Sequence, residues 1–477
     1  MKMLIGGQKV AASDGKTIDV FNPATGERID TVPSATREDV ELAVEYARKG
    51  CEEWAATPLH ERCRILSRWA DLIAEHREEL AQLITMDTGK SIKDARAEMA
   101  RIDASARSQE ERAAHLYTQV LSDAQPGMEH DFFVTKREPL GIVACIVPYN
   151  YPASLYTQKV APALAMGNAV IIKPATDCPL TNIRMTELLL EAGVPGNAAQ
   201  ILTGRGSVVG NMLVAHPQVN MVCLTGSTEA GIAVNQAGAA NLTHMHLELG
   251  GNDAYVIFDD VDLDAVTTDC VNARASNAGQ TCAAPKRFIV QNTIREQFTK
   301  LLIEKLSKVV IGDPMAPSTD VGCMITEKAA VEAEEAVAHT VSQGAKCIMG
   351  GKRYNQTYFP MTVLTDVTAD MDIAKDLEIF GPVFPIIGFD TADEAVRIAN
   401  SSQYGLAGGV MCADQKLAYY VSTRMECGSV VLGGSGNYRP PELGFGGFKM
   451  SGIGREGVST TLEEMSQLKT YIIKGVR

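Results

Sequence analysis

The spacing of apolar residues changes along the chain, and the change divides it. Between 36 and 118, apolar side chains recur at helical intervals. Leu66, Trp69, Leu72 and Ile73 fall at i, i+3 and i+4 positions, and Leu80, Leu83 and Ile84 repeat the pattern. This predicts a helical region, with Thr36 capping the first helix and Asp39 as its capping-box partner. The stretch 121–135 loses the period and carries Pro126 and Gly127. It reads as an excursion that reaches a neighbouring subunit.

From 141 the pattern becomes short, continuous apolar runs. Residues 141–147 and 169–173 read as strands buried on both faces. Helices are predicted near 181–192, 206–215 and 228–238, and strands near 199–202 and 219–224. A second series starts near 253, with a helix at 263–276, a strand at 287–291 and a helix at 294–309. Such alternation implies βαβ units and parallel sheets. The expected fold is α/β, with two parallel-sheet domains joined close to Glu248. The tail 468–473 alternates like an edge strand, which invites pairing with another subunit.

A chain of 477 residues exceeds one compact core, so two or three domains are expected. Its net charge of −14 argues against nucleic acid as a partner. No apolar run approaches the roughly 20 residues of a membrane span, and the N-terminus lacks a signal-peptide core. The eleven cysteines follow no pattern and include no Cys-x-x-Cys, so no metal site is expected. A reducing, cytoplasmic location fits this usage.

One cysteine stands apart. Cys282 follows Gly279-Gln-Thr in a glycine-bearing loop, and Glu248 ends an apolar run before Gly250-Gly251. A carboxylate in such a place is costly unless it has a task. Together they suggest a thiol nucleophile and a carboxylate that activates water. For each residue alone, a structural role is the competing reading. Gly226-Ser-Thr-Glu-Ala-Gly231 follows a strand and opens a helix, a place suited either to a phosphate or to an ordinary capped turn. Gly204–Gly210 resembles a dinucleotide fingerprint with one residue too many. Lys173 ends a buried strand, where ligands of open α/β sheets gather. Asn150, held between Pro148 and Pro152, can donate to an oxyanion or close an Asx-turn.

In this order the segments resemble the NAD(P)-dependent aldehyde dehydrogenase superfamily. The resemblance runs from Phe21-Asn-Pro-Ala-Thr-Gly-Glu27 to Phe445-Gly-Gly-Phe-Lys-Met-Ser-Gly-Ile-Gly-Arg-Glu456, through Glu378-Ile-Phe-Gly-Pro-Val383. It implies that Cys282 adds to the aldehyde, that Asn150 helps form the oxyanion hole, and that Glu248 is the base for thioester hydrolysis. Acylating relatives generally lack this glutamate, so a free acid is the expected product. The resemblance assigns Lys173, Thr176, Gly226, Ser227, Glu378, Phe380 and Pro148 to the cofactor. It also implies three parts: a cofactor domain at 1–118 and 136–246, a catalytic domain at 247–440, and a small β oligomerisation piece from 119–135 and 441–477. A homodimer or homotetramer is expected.

Departures from the pattern bear on specificity. Thr176 stands where strictly NAD-using members often have a glutamate, which favours NADP, with NAD still possible. Thr281, Gln158, Arg439 and Tyr438 are the candidate substrate contacts. Gln158 replaces the arginine of succinate-semialdehyde enzymes. The reading is a small polar aldehyde, lactaldehyde-like. The alternatives are succinate semialdehyde, another anionic semialdehyde such as a sulfonated one, and a non-catalytic cofactor-binding member of the fold.

Overall fold

The computed structural model describes residues 1–121 and 125–476. Of the expected excursion at 121–135, residues 122–124 lie outside the described residues. The helical region resolves into five helices: Arg37–Ala56, Leu59–Glu75, Arg77–Thr88, Ile92–Met99 and Ile102–Ala114. Thr36 caps the first through the expected capping box with Asp39. Leu66, Trp69, Leu72, Ile73, Leu80 and Ile84 are buried in one core, with Leu83 packed at its edge.

Two large sheets carry the architecture. The first has eight strands in the order Gln8–Val10, Met3–Ile5, Ala199–Ile201, Ala169–Lys173, Ile142–Ile146, Val219–Thr225, His244–Glu248 and Gly452–Ile453. Its five central strands are parallel. They are buried on both faces along most of their length, as continuous apolar runs require; Asn220 and His244 are the exposed exceptions. The second has seven strands and centres on Ala254–Ile257 and Arg287–Gln291, which pair in parallel. The predicted helix near 206–215 opens as a π turn, Gly206–Gly210, before Asn211–Val214.

The tail strand, Ser466–Ile473, does not leave its inner edge free. It pairs residue for residue with Phe132–Pro139 in a three-stranded antiparallel sheet. The stretch read as an excursion therefore ends in a strand that runs on to Pro139. Its alternating pattern is too weakly apolar to show in the sequence. Leu468, Ile472 and Ile473 remain exposed on the tail strand.

This arrangement fixes the site. Segments 148–150, 225–227 and 249–250 leave the carboxyl ends of the first sheet. Cys282, Glu378 and Phe380 stand in loops that enter the strands Arg287–Gln291 and Val383–Phe389 of the second. The two sheets thus meet end to end across one cleft, where ligands of open α/β sheets bind.

Candidate active site

Cys282 lies between the turn Ser276–Gly279 and the strand Arg287–Gln291. The turn is unusual: Asn277 and Ala278 adopt φ of 52° and Gly279 adopts 73°. Left-handed non-glycine residues cost free energy and gather at functional sites. Side-chain amides hold this turn. Asn277 Nδ2 donates to the Asn150 carbonyl at 2.9 Å, and Asn150 Nδ2 donates to the Gln280 carbonyl at 3.0 Å. The asparagine loop and the cysteine loop are thereby locked together. One N–H of Asn150 is spent on this bond, and its buried Oδ1 has no protein partner.

One cavity of about 270 Å³ gathers Pro148, Tyr149, Asn150, Gly226, Ser227, Cys282, Glu378 and Phe380, together with Thr225, Leu249 and Gly250. Seven of the sequence-predicted residues therefore share one space. Phe380 meets Tyr149 edge to face at 6.4 Å. Ser227 caps the helix Thr228–Gly238 by accepting from the Ala230 N–H at 3.2 Å. The capped-turn reading of this segment therefore holds, and the cap leaves the Ser227 hydroxyl proton unused. Gly231 permits the close approach: a Cβ there would stand 2.5 Å from the Leu249 side chain.

Glu248 ends the strand His244–Glu248 and is buried, and its Oε1 has no protein partner. Burial, and then the nearby charge of Glu456, push its carboxyl well above the usual range. Glu456 behaves oppositely. Burial opposes its charge, but Lys159 at 3.0 Å, Arg439 at 2.9 Å and His246 hold it down to about 2. Two neighbouring carboxyls are thus driven apart by their partners, a pattern that separates a proton acceptor from a fixed charge. Burial pushes the Cys282 thiol up to about 11, against the pull of Lys286 and then Arg439.

Other predicted residues lie elsewhere. Lys173 is buried at the end of its strand, and burial lowers its ammonium to about 8. Its Nζ donates to the Pro174 carbonyl at 2.8 Å. Thr176 donates its hydroxyl proton to the Gly204 carbonyl at 3.2 Å. Neither lines the cavity of Cys282. Among the substrate candidates, Thr281 shares a hydrogen bond with Tyr151 at 3.1 Å. Gln158 is half-buried, and its Oε1 has no protein partner. Arg439 stacks on Phe445 at 4.3 Å while pairing with Glu456. Tyr438 is 73% exposed and lines a separate surface cavity with Asp269 and Ser435. It faces that surface because its loop carries it away from the cleft. Lys159, Glu456 and Lys286 were missed as site residues. Only Glu456 carried a local signal, in the Gly454-Arg-Glu456 motif; Lys159 and Lys286 read as ordinary lysines until the fold buries them.

Comparison with known proteins relates the whole chain to one family. Residues 10–471 match the aldehyde dehydrogenase family. The chain is 36% identical over 474 residues to the mitochondrial succinate-semialdehyde dehydrogenase of Arabidopsis thaliana, covering 99% of this chain and 89% of that protein. It is 34% identical over 473 residues to the NADP(+) succinate-semialdehyde dehydrogenase GabD of Escherichia coli (strain K12), covering 98% and 97%. The crystal structure of the NAD-dependent aldehyde dehydrogenase from Sinorhizobium meliloti superposes with a TM-score of 0.96 at 34% identity, covering 100% of this chain and 95% of that one.

Proposed function

The chain belongs to the aldehyde dehydrogenase family, and we propose that its substrate within that family is a short anionic semialdehyde of the succinate-semialdehyde kind, oxidised to the free acid. It is an NAD(P)-dependent enzyme. The substrate reading is supported by the two full-length relatives, both succinate-semialdehyde dehydrogenases. These favour the semialdehyde alternative over the lactaldehyde-like one. Arg439 adds a cation close enough to Cys282 and Glu248 to act on both. Where the arginine of such enzymes is expected, Gln158 offers an amide that can turn either its N–H or its oxygen to the substrate.

The observation that carries the mechanism is the convergence of Cys282, Asn150 and the cofactor residues on one cavity. That space suits one end of a dinucleotide. Gly226 and Ser227 at a helix N-terminus would hold the pyrophosphate, Glu378 the nearer ribose, and Phe380 and Pro148 the ring. Lys173 and Thr176 would meet the other ribose. No carboxylate side chain at 176 repels a 2′-phosphate, which favours NADP. When bound, the nicotinamide supplies the hydride acceptor.

Cys282 attacks the aldehyde carbon as a thiolate. The remaining N–H of Asn150 and the backbone N–H of Cys282 receive the oxyanion. After oxidation the acyl group stays on Cys282 as a thioester. Glu248 then takes a proton from the water that attacks it, and its buried, unpartnered oxygen suits that task. The division at 1–118 with 136–246, 247–440 and the bridging segments 119–135 and 441–477 belongs to this proposal. So does a homodimer or homotetramer formed through the exposed apolar tail strand. Absorbance at 340 nm tests the substrate, with NAD and NADP each offered against succinate semialdehyde, a sulfonated aldehyde, lactaldehyde and glyceraldehyde. The highest kcat/KM is expected for an anionic semialdehyde. A preference for lactaldehyde would overturn the reading.

A further inference from the structure

A buried cation beneath the nucleophile loop takes no part in the steps above. Lys286 stands four residues after Cys282, and its side chain is 1% exposed. Its ammonium donates to the Cys282 carbonyl at 2.5 Å and pairs with Glu378 at 3.3 Å. Burying an ammonium is costly unless its partners repay it. Here the partners are the nucleophile's own backbone and a carboxylate that lines the same cavity.

Four charged groups act on the sulfur. Lys286 comes from its own loop, Arg439 from the segment before Phe445, and Asp253 and Glu248 from the segment leaving the first sheet. The two carboxyl groups and the surrounding burial disfavour a sulfur anion; the two cations favour it. Lys286 is the stronger of these cations. Arg439 is shared with Glu456 at 2.9 Å.

We propose that Lys286 is a positioning residue for the nucleophile: its ammonium fixes the Cys282 backbone to Glu378 and supplies the positive charge that favours the sulfur anion over the thiol. This rests on Cys282 being the nucleophile. One ammonium then serves both the sulfur and Glu378. The Glu378 carboxylate, 3.3 Å from the ammonium, partly cancels its field at the sulfur, so neutralising Glu378 leaves that field less opposed.

The test is the pH dependence of Cys282 alkylation by iodoacetamide, followed on the Cys282 peptide by mass spectrometry. Lys286→Met should raise the midpoint by about one pH unit and slow labelling near neutrality about tenfold. Lys286→Arg should keep the midpoint close to that of the parent, because the charge stays. Glu378→Gln should lower it. An unchanged midpoint in Lys286→Met overturns the proposal, as does an equal rise in Lys286→Arg, which marks lost packing. If Lys286→Met does not fold, Glu378→Gln decides: a midpoint that fails to fall overturns it. Retained oxidation by Cys282→Ser would instead overturn the nucleophile reading, which this titration does not measure.

Discussion

Replacing Lys159 by Met removes one half of the most deeply buried ion pair at the site. Lys159 Nζ lies 3.0 Å from Glu456 Oε1 and 2.7 Å from Thr225 Oγ1. Both charged side chains are at most 1% exposed. At that separation and an effective dielectric constant of about 20, the attraction is about 5.5 kcal/mol before desolvation. Removing one partner strands the other, and such losses run to about 3–5 kcal/mol. Arg439 still pairs with Glu456, which places the expected cost near the lower figure. Urea unfolding followed by tryptophan fluorescence reads this directly. Trp54 donates to the Leu164 carbonyl on the helix that carries Lys159, and Trp69 packs on Tyr156 of the same helix. With a slope of about 3 kcal/mol/M, the midpoint should fall by about 1 M at fixed protein concentration. Adding Glu456→Gln should restore most of the loss, because no buried carboxylate is then left stranded. The pair also has a pH signature. Glu456 is held at about 2 against an ordinary 4.5. Its stabilising share is therefore complete above about 4.5 and lost as pH falls towards 2. A single variant within 1 kcal/mol of the parent, or a double variant no more stable than the single one, would refute the reasoning.

Other expectations concern catalysis. Glu248→Gln should leave a rapid burst of one reduced cofactor per site, then cut steady turnover by about 10²–10⁴-fold; stopped-flow absorbance separates the phases, and an unchanged steady rate refutes the role of the base. Because the Glu248 carboxyl is raised by burial and by Glu456, turnover should climb with pH as it ionises. Glu456→Gln removes the repulsion and should move that limb to lower pH, which a kcat–pH profile checks. Asn150→Ala should lower kcat about 10²–10³-fold through the lost oxyanion donor, with KM for cofactor little changed. Gly231→Ala should press on Leu249, whose side chain would lie 2.5 Å from the new Cβ and which lines the cavity. Overpacking of this kind costs about 1–3 kcal/mol, so melting temperature should fall and cofactor KM should rise.

The chain's periodicity made most of the fold legible. Strands such as Ala169–Lys173 are continuous apolar runs because both faces are covered, and that shows in any window of sequence. The strand Phe132–Pro139 is half-exposed along its length and carries Lys136, Arg137 and Glu138. Its existence depends on the partner Ser466–Ile473, more than 300 residues away, so no local pattern gives it. The same reason hid Lys286. As a lysine after Pro285 it reads as solvated, and only the folding of Glu378 and the Cys282 carbonyl around it turns it into a buried charge.

What the sequence determined by itself was the inventory and its order: a thiol after Gly279-Gln-Thr, a carboxylate before Gly250-Gly251, and an asparagine between prolines, set in two α/β series. Covalent neighbours and local spacing are enough for that. The tertiary structure decided how these groups behave. Glu248 and Glu456 are both glutamates, yet burial and charge raise one while Lys159 and Arg439 lower the other. Arg439 became part of that network, and Tyr438, next to it in the chain, turned to another surface. Ionisation and reach depend on distances between segments far apart in sequence, and those distances exist only once the two sheets have met.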